Sequence, residues 1–454
     1  MSYFDTVLNV LSPHVFVPLY NYLKKDHSLK YVAEVERFNK LSLADIQRFQ
    51  LKRVRFIADY AAKNTRYYGK LFKNIGLDDP LHLSWDDYAR IPVLTKDIIR
   101  QEQSHLVSSL FKESDLRKTA TGGTTSSPMP FFSDWDSMYR KRSATIAFDK
   151  WLGYQPGMKS AYLWGALQDF ADFESLKQKL SNLLIHRCIF LPGTPLDDQI
   201  MESYYQKLKI FKPQLLQAYP TPLDIFADFL KRKSYSLSIP AVSCTAEPLL
   251  EQQNKTITEV FGEPPYNWYG AREAGRIATE CHAHNGMHIN SHGVHLDVVS
   301  SKYIDSGLGS LVLTDLWNIG MPLIRYEIGD VGRVTNEYCS CGCQLPRLQE
   351  ILGRVTDTFV NSKGQKIPGV GFTNRYIKDA REIQSMQIIQ HDINDFEILV
   401  VPAKEYSSAT EAWLQQKLDE FMLEPTRLRI SSVDRILREK SGKIRFCKNL
   451  MKEV

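Results

Sequence analysis

Four short segments carry side chains whose types and spacing suit chemistry on phosphates. Between Thr119 and Pro128 the chain reads Thr-Ala-Thr-Gly-Gly-Thr-Thr-Ser-Ser-Pro. Two adjacent glycines let the backbone approach a ligand closely. The hydroxyls, with a run of free main-chain N–H groups, suit phosphate oxygens. No G-x-x-x-x-G-K-[ST] phosphate loop is present, and the same composition also makes an ordinary Ser/Thr-rich turn. Near the other end, Lys440-Ser441-Gly442-Lys443-Ile444-Arg445 sets a lysine beside a glycine. Such a pair swings a cation into a cleft or stays a solvated basic stretch. Tyr269-Gly270-Ala271-Arg272-Glu273 follows an expected strand. A carboxylate at the mouth of a parallel strand can hold a hydrated magnesium ion or simply pair or cap. In Arg325-Tyr326-Glu327-Ile328-Gly329-Asp330 the aspartate is expected just past a strand, where it accepts from ribose hydroxyls or forms a turn.

A second kind of chemistry sits in the cysteines. Cys281 is followed by His282, His284 and His288, and about fifty residues later come Cys339, Cys341 and Cys343. Thiolates and imidazoles in two clusters suit tetrahedral zinc. The Cys-x-Cys-x-Cys spacing is tighter than a C-x-x-C knuckle, so reduced cysteines on a hairpin are the competing reading. Seven cysteines in all, with no basic–apolar–cleavage pattern at the start, lead us to expect the reducing cytoplasm and no export signal. A G-x-S-x-G elbow is absent, which removes a serine hydrolase.

The elements that must position these groups follow from periodicity. The first hundred residues read helical, with Ser42 and Asp45 as a cap and Ile46, Phe49, Val54, Ile57 and Ala61 on one face. Val7 to Leu23 is apolar but interrupted by Asn9, Pro13, His14, Pro18 and Asn21. It reads as a packed or surface-lying helical segment and not as a transmembrane segment. From about residue 160, strands and helices alternate, which implies a largely parallel sheet with ligands at the carboxyl ends of its strands. After residue 290 the strands "VHLDVV", "GSLVLTDL" and "PLIRYEIG" follow one another, as in an antiparallel or barrel-like subdomain. The last hundred residues give a hairpin, a helix and "RLRISSVDRI" as a final strand. The fold class is therefore α/β: a large domain, 1–353, and a small mobile α+β domain, 354–454. The chain has 454 residues, 43% hydrophobic and 24% charged, with a net charge of +5. That excludes a disordered chain, a fibre and a multi-span membrane protein, and gives no warrant for nucleic acid as partner.

The order of the segments is more specific than any one of them. "IPVLTKDIIR" (91–100), "TATGGTTSSP", "TAEPL" (245–249), "YGAREAG", "PLIRYEIGD", Gly353-Arg354 and the terminal Gly-Lys together resemble the adenylate-forming superfamily of acyl-CoA synthetases, luciferases and adenylation domains. The chain is most similar to its phenylacetate–CoA ligase and CapK-type group, over essentially its whole length. The resemblance implies ATP, magnesium and a carboxylic acid as reactants, with coenzyme A, an amine or a carrier thiol as acceptor. Thr121, Gly122, Gly123, Thr124 and Thr125 would wrap the phosphates. Ala246, Glu247 and Pro248 would line the adenine, with Tyr269 and Gly270 beside it. Arg272 would join the nucleotide site, Glu273 would hold magnesium and Asp330 would bind the ribose. Arg354 would contact the ribose and phosphate region, and Lys443 would bridge carboxylate and α-phosphate. Relatives of this group carry a structural zinc, which maps onto Cys281, His288, Cys339 and Cys341, with Cys343 as a substitute ligand. Trp164, Phe170, Tyr219 and Trp268 are offered as the acid pocket.

Three positions depart from the family pattern. Ser126-Ser127-Pro128 replace a glycine and a lysine of the loop. Arg272 stands where threonine often precedes the magnesium glutamate. Thr356, then Asp357, stand at the hinge. A nucleotide-binding relative without turnover and a zinc-stabilised scaffold are the competing functional readings. Surface-polysaccharide modification is suggested by the CapK-type likeness alone, and the residues leave a homodimer open.

Overall fold

The computed structural model describes residues 3–120, 129–164, 180–193, 195–299, 307–354, 358–369, 372, 380, 382–437 and 446–451. The N-terminal hundred residues are helical, as their spacing predicts. Ser42 caps the helix Leu43–Asn64 by accepting the Asp45 N–H at 3.2 Å, and Ile46, Val54, Ile57 and Ala61 are buried on its inner face. The chain from Tyr3 to Leu23 is helical throughout, with a five-residue π-helical stretch at Ser12–Phe16 where Pro13 removes a backbone donor. Among the described residues no helix is long and apolar enough to cross a membrane.

Strands β1 (Arg117–Ala120) and β2 (Pro130–Ser133) form a separate antiparallel pair. The next four, β3 (Ser160–Trp164), β4 (Cys188–Pro192), β5 (Leu215–Ala218) and β6 (Ala241–Cys244), are mutually parallel. They are followed by β7 (Tyr266–Ala271), β8 (Gly275–Glu280), β9 (Met287–Ile289), β10 (Val294–Val299), β11 (Gly309–Asp315), β12 (Tyr326–Thr335) and β13 (Arg347–Arg354). All eleven from β3 onward join one sheet in the order β10-β11-β12-β13-β9-β8-β7-β6-β5-β3-β4. The antiparallel half thus continues the parallel half through the parallel pairing of β6 with β7.

Side-chain alternation separates the two faces of the parallel half. Ala161, Leu163, Leu191, Leu216, Ala218, Val242 and Cys244 point to one face. There they pack against Leu208, Phe226, Phe229 and Ile257 of the helices Asp198–Phe211, Pro220–Arg232 and Glu251–Phe261. Tyr162, Trp164, Phe190 and Gln217 point to the other. The antiparallel half has its own core, in which Val54, Ile57, Tyr68 and Phe72 of the early helices meet Ile277, Leu311, Leu313 and Tyr326.

The expected strand "PLIRYEIG" begins later than its apolar run suggests. Arg325 has a left-handed φ of 51°, which ends any extended run through it, and β12 opens at Tyr326. As a consequence Asp330 lies inside β12 and not past its end. The segment around Leu94 docks alongside: the Leu94 N–H donates to the Arg325 carbonyl at 2.9 Å, and the Glu327 N–H donates to the Leu94 carbonyl at 3.0 Å.

The C-terminal residues build a separate core. β14 (Thr358–Val360) pairs with β15 (Lys366–Pro368). The expected hairpin is present as β16 (Ile383–Asp392) and β17 (Asp395–Pro402), with the helix Ser408–Met422 after it. "RLRISS" forms β18 (Arg427–Ser432) but is not the final strand. That place belongs to β19 (Cys447–Asn449), too short for a periodicity signal, which pairs parallel to β16. Phe359, Phe372, Ile388, Phe396, Leu414 and Leu418 are fully buried together.

One buried carboxylate ties the first core together. Asp134 caps the helix Trp135–Asp149 by accepting the Ser137 N–H at 2.9 Å, and it also accepts from Ile319 N–H at 2.9 Å. Losing a cap and stranding a buried donor costs about 2–4 kcal/mol. Asp134→Ala is therefore expected to lower the unfolding free energy by that amount, and the urea midpoint by that amount divided by an unchanged m-value; an unchanged midpoint would disprove the anchoring role.

Candidate functional site

Two hydrogen bonds draw the sequence-predicted groups together. The Tyr269 hydroxyl on β7 donates to Asp330 Oδ2 on β12 at 2.5 Å. The Tyr326 hydroxyl, also on β12, donates to Glu273 Oε1 at 2.9 Å. In the sheet order β7 and β12 are four strands apart. A flat sheet would separate them by roughly 19 Å at the usual strand spacing, beyond the reach of these side chains. The antiparallel half must therefore curl over, which is the barrel-like character its strand run predicts.

Glu273 lies in the turn between β7 and β8 and is 6% exposed. Its carbonyl accepts from Lys141 Nζ at 2.7 Å, and the same ammonium pairs with buried Asp315 at 2.7 Å. The turn is thus clamped to the helix Trp135–Asp149. Burial, then the Asp330 charge, raises the Tyr269 phenol well above its ordinary pKa, so it stays a donor at neutral pH. Lys96, the first residue of the helix Lys96–Leu106, donates to the Ile328 carbonyl at 2.7 Å, two residues from Asp330. Arg354 stands opposite Asp330 in the β12–β13 ladder. Tyr326, Lys141 and Lys96 were not singled out in the sequence. Their roles depend on partners distant in the chain; Tyr326 and Lys96 each lie inside a quoted motif, Lys141 in none.

Residues 121–128 lie outside the described residues, and with them Thr121, Gly122, Gly123, Thr124 and Thr125. The strands on either side of this segment are paired, Ala120 facing Pro130, and the Phe131 ring packs edge-on against Tyr326 at 5.8 Å. The base of the glycine loop is thereby held beside Tyr326. Lys443, Thr356, Asp357 and Phe170 also lie outside the described residues.

At the carboxyl end of β6 the chain turns sharply at Ala246, whose φ of +75° is a strained value for a residue with a Cβ. The next residue, Glu247, is buried and accepts the Thr221 N–H at 3.2 Å, which pins the turn to the helix Pro220–Arg232. Ala246, Gly270 and Arg272 border a cavity of about 760 Å³. Trp164 and Trp268 line it, as expected. Tyr219 does not; it backs Trp164 with ring centroids 4.6 Å apart. Val17 and Tyr20 of the N-terminal helical segment form part of the opposite wall.

The cysteine clusters come together as the metal reading requires. The ligand atoms of Cys281, His288, Cys339 and Cys341 all lie within 4.8 Å of one another. Cys281 follows β8 and His288 sits on β9, while Cys339 and Cys341 occupy the β12–β13 connection. The pairing of Arg347 with His288 joins the two hairpins. Arg347, 1% exposed, donates to the carbonyls of Asn285, Glu337 and Tyr338 and holds them in register. Cys281 and Cys339 sulfurs are 3.7 Å apart, close to the roughly 3.8 Å edge of a tetrahedral zinc–thiolate site. Each of the three thiols accepts an N–H from two residues on: Ala283, Cys341 and Cys343 respectively. His288 Nδ1 faces the Leu345 carbonyl at 3.2 Å, which leaves Nε2 toward Cys341 Sγ at 3.3 Å as the ligating lone pair. Burial pulls the His288 pKa down to about 4, so the ring is neutral. Soft sulfur donors and one neutral imidazole fit zinc. Cys343 is not a fourth sulfur ligand here: its Sγ turns to the Asn39 carbonyl at 3.4 Å. His284 turns to Glu280 at 3.3 Å.

Comparison with known proteins finds relatives of the chain and solved structures of similar fold. Residues 359–450 match the family model of the CapK C-terminal domain. The chain is 24% identical over 388 residues to Protein CapK of Staphylococcus aureus, covering 84% of this chain and 83% of that one. It is 25% identical over 344 residues to phenylacetate-coenzyme A ligase of Thermus thermophilus, covering 73% and 75%. The chain is a relative of CapK and of the phenylacetate–coenzyme A ligases. Among solved structures, 2-hydroxyisobutyryl-CoA ligase in the postadenylation state with 2-HIB-AMP superposes with a TM-score of 0.70 at 17% identity, over 91% of both chains. An open conformation of that ligase with 2-HIB-AMP and CoA gives 0.63. The fold is that of the adenylate-forming ligases.

Metal analysis of protein purified without added metal is expected to find about one equivalent of zinc. Cys339→Ser with Cys341→Ser should abolish it, and chelation should lower Tm by more than about 5 °C. Full zinc retention in the double variant would rule out this ligand set.

Proposed function

We propose that this protein activates a carboxylic acid with ATP, forming an acyl-adenylate and releasing pyrophosphate, and then passes the acyl group to a nucleophile. The observation that supports the reading is the convergence of Tyr269–Asp330 and Tyr326–Glu273, next in the chain to Gly270, Ala271 and Arg272 of the cavity lining. On this reading a ribose-binding carboxylate and a metal-binding carboxylate would stand beside a space fit for an acid. The phenol on Asp330 orients one carboxylate oxygen and leaves the other to accept from a ribose hydroxyl. Glu273 is held by Tyr326 and by the clamped turn, and it is the residue that would hold magnesium. Bound there, magnesium would offset the charge of the leaving pyrophosphate.

Attack of a carboxylate on phosphorus brings two anions together, so cations must face the reacting groups. Arg272 has no hydrogen-bond or ion-pair partner among the described residues and borders the cavity. It would meet the acid carboxylate or the α-phosphate. Lys443, from the small domain (354–454), would complete the cage, with Arg354 at the ribose and phosphates. The Thr121–Thr125 loop would wrap the phosphates, and Ala246, Glu247, Pro248, Tyr269 and Gly270 would flank the adenine. Zinc on the Cys/His cluster has four protein ligands and no open position, so its role is structural.

Coenzyme A is the favoured acceptor, since the related 2-hydroxyisobutyryl-CoA ligase has been solved with CoA. An amine or a carrier thiol is the alternative suggested by the likeness to CapK. That likeness also suggests surface-polysaccharide modification, in the cytoplasm. Pyrophosphate exchange across a panel of carboxylic acids tests the activation step. Lys443→Ala should lower exchange by roughly 10²–10³-fold, the usual worth of a well-placed group at developing charge, with Lys440→Ala unaffected. Equal exchange in Lys443→Ala would defeat the assigned lysine. Tyr269→Phe should raise KM for ATP about tenfold by freeing Asp330 from its tether, with little change in Tm. An unchanged KM would remove Asp330 from the nucleotide site.

A further inference from the structure

The cavity next to this site carries polar side chains that have no hydrogen-bond partner among the described residues. Gln217 is 8% exposed and Asn21 is 4% exposed; both line the cavity, and neither side-chain amide has a partner among the described residues. Both amides open onto the same cavity, where their hydrogen-bonding capacity is available to a ligand. Each amide offers both a donor and an acceptor, the complement of a hydroxyl and not of a charge. The ionised groups deeper in the wall cancel: Arg276 pairs with Asp149 at 2.6 Å. Arg272, without a hydrogen-bond or ion-pair partner among the described residues, precedes Glu273 in the chain, where a carboxylate would sit.

The walls between these groups are flat and apolar. Phe190, Tyr162 and Gln217 are register neighbours on β4, β3 and β5, so they form one row on the same sheet face. The Tyr162 and Phe190 rings stack at 4.9 Å, with Trp164 two residues along from Tyr162. About 760 Å³ is the room of a drug-sized ligand and far exceeds what a two-carbon acid fills.

We propose that the acid is one with a bulky apolar body bearing a hydroxyl group remote from its carboxylate. Gln217 and Asn21 are its specificity residues. This rests on the adenylation reading, and the test separates the two. Pyrophosphate exchange is measured with 4-hydroxycinnamic against cinnamic acid, 3-hydroxydecanoic against decanoic acid, and acetate, alongside calorimetry with MgATP. At least one hydroxylated acid should exceed its parent by about tenfold or more in kcat/KM, because a site built to bond a hydroxyl rejects the analogue lacking it. Acetate should be slower than both. Gln217→Leu or Asn21→Leu should erase the preference, lowering kcat/KM for the hydroxylated acid more than for its parent. A unit ratio in both pairs, efficient use of acetate, or a preference that survives both variants overturns the proposal. If no acid supports exchange although MgATP binds with measurable heat, the substrate class is wrong. If MgATP also gives no heat, the adenylation reading itself fails.

Discussion

The curl of the antiparallel half is the constraint on which the site depends. Tyr269 and Asp330 meet only because β12 returns over β7 across three intervening strands. The other contacts around Asp330 and Glu273 accompany that closure: Tyr326 reaches Glu273, Phe131 reaches Tyr326, and Leu94 docks beside Arg325. Tight local conformations accompany the bend. Gly329, just before Asp330, has a φ of 97°, and the position its missing Cβ would take lies 2.9 Å from Lys96 Nζ. A side chain there would both strain the backbone and displace the lysine that holds the Ile328 carbonyl.

The Cys/His cluster braces the same curled strands from their far end. It joins the β8–β9 hairpin to the β12–β13 connection, next to the buried Arg347. Burial pushes the Cys281 thiol up to about 12, so thiolates are costly in this spot unless a cation accompanies them. The N–H groups aimed at the sulfurs and the carbonyl behind His288 are arranged for such a cation. A structural metal remote from the reacting groups would fix the register of strands that carry Glu273 and Asp330.

The parallel half divides its labour by face. One face is sealed by three helices packed on small and branched side chains. The other keeps its aromatic residues and Gln217 for the cavity, which is lined in part by the N-terminal helical segment. The outer side of that segment exposes Leu19, Tyr22 and Leu23, while Val17 and Asn21 are buried. The same short stretch therefore serves as wall and as surface, consistent with its interrupted hydropathy.

The sequence by itself determined the strand–helix alternation, the Ser42 cap, the C-terminal hairpin and the set of motifs. These are local: a period of two or 3.6, a capping hydroxyl or a run of residue types leaves its mark within a few positions. The order of the motifs was enough to indicate the adenylate-forming fold; the two Cys/His clusters suggested zinc, and the set Cys281, His288, Cys339 and Cys341 came from the resemblance. Only the tertiary structure decided that Cys343 faces Asn39, that Asp330 lies inside its strand and that Tyr219 stands behind the cavity wall. It alone brought Asn21 and Gln217, nearly two hundred residues apart, to one cavity. Such contacts are set by sheet curvature and by which face a side chain takes, and neither is encoded by neighbours in the chain.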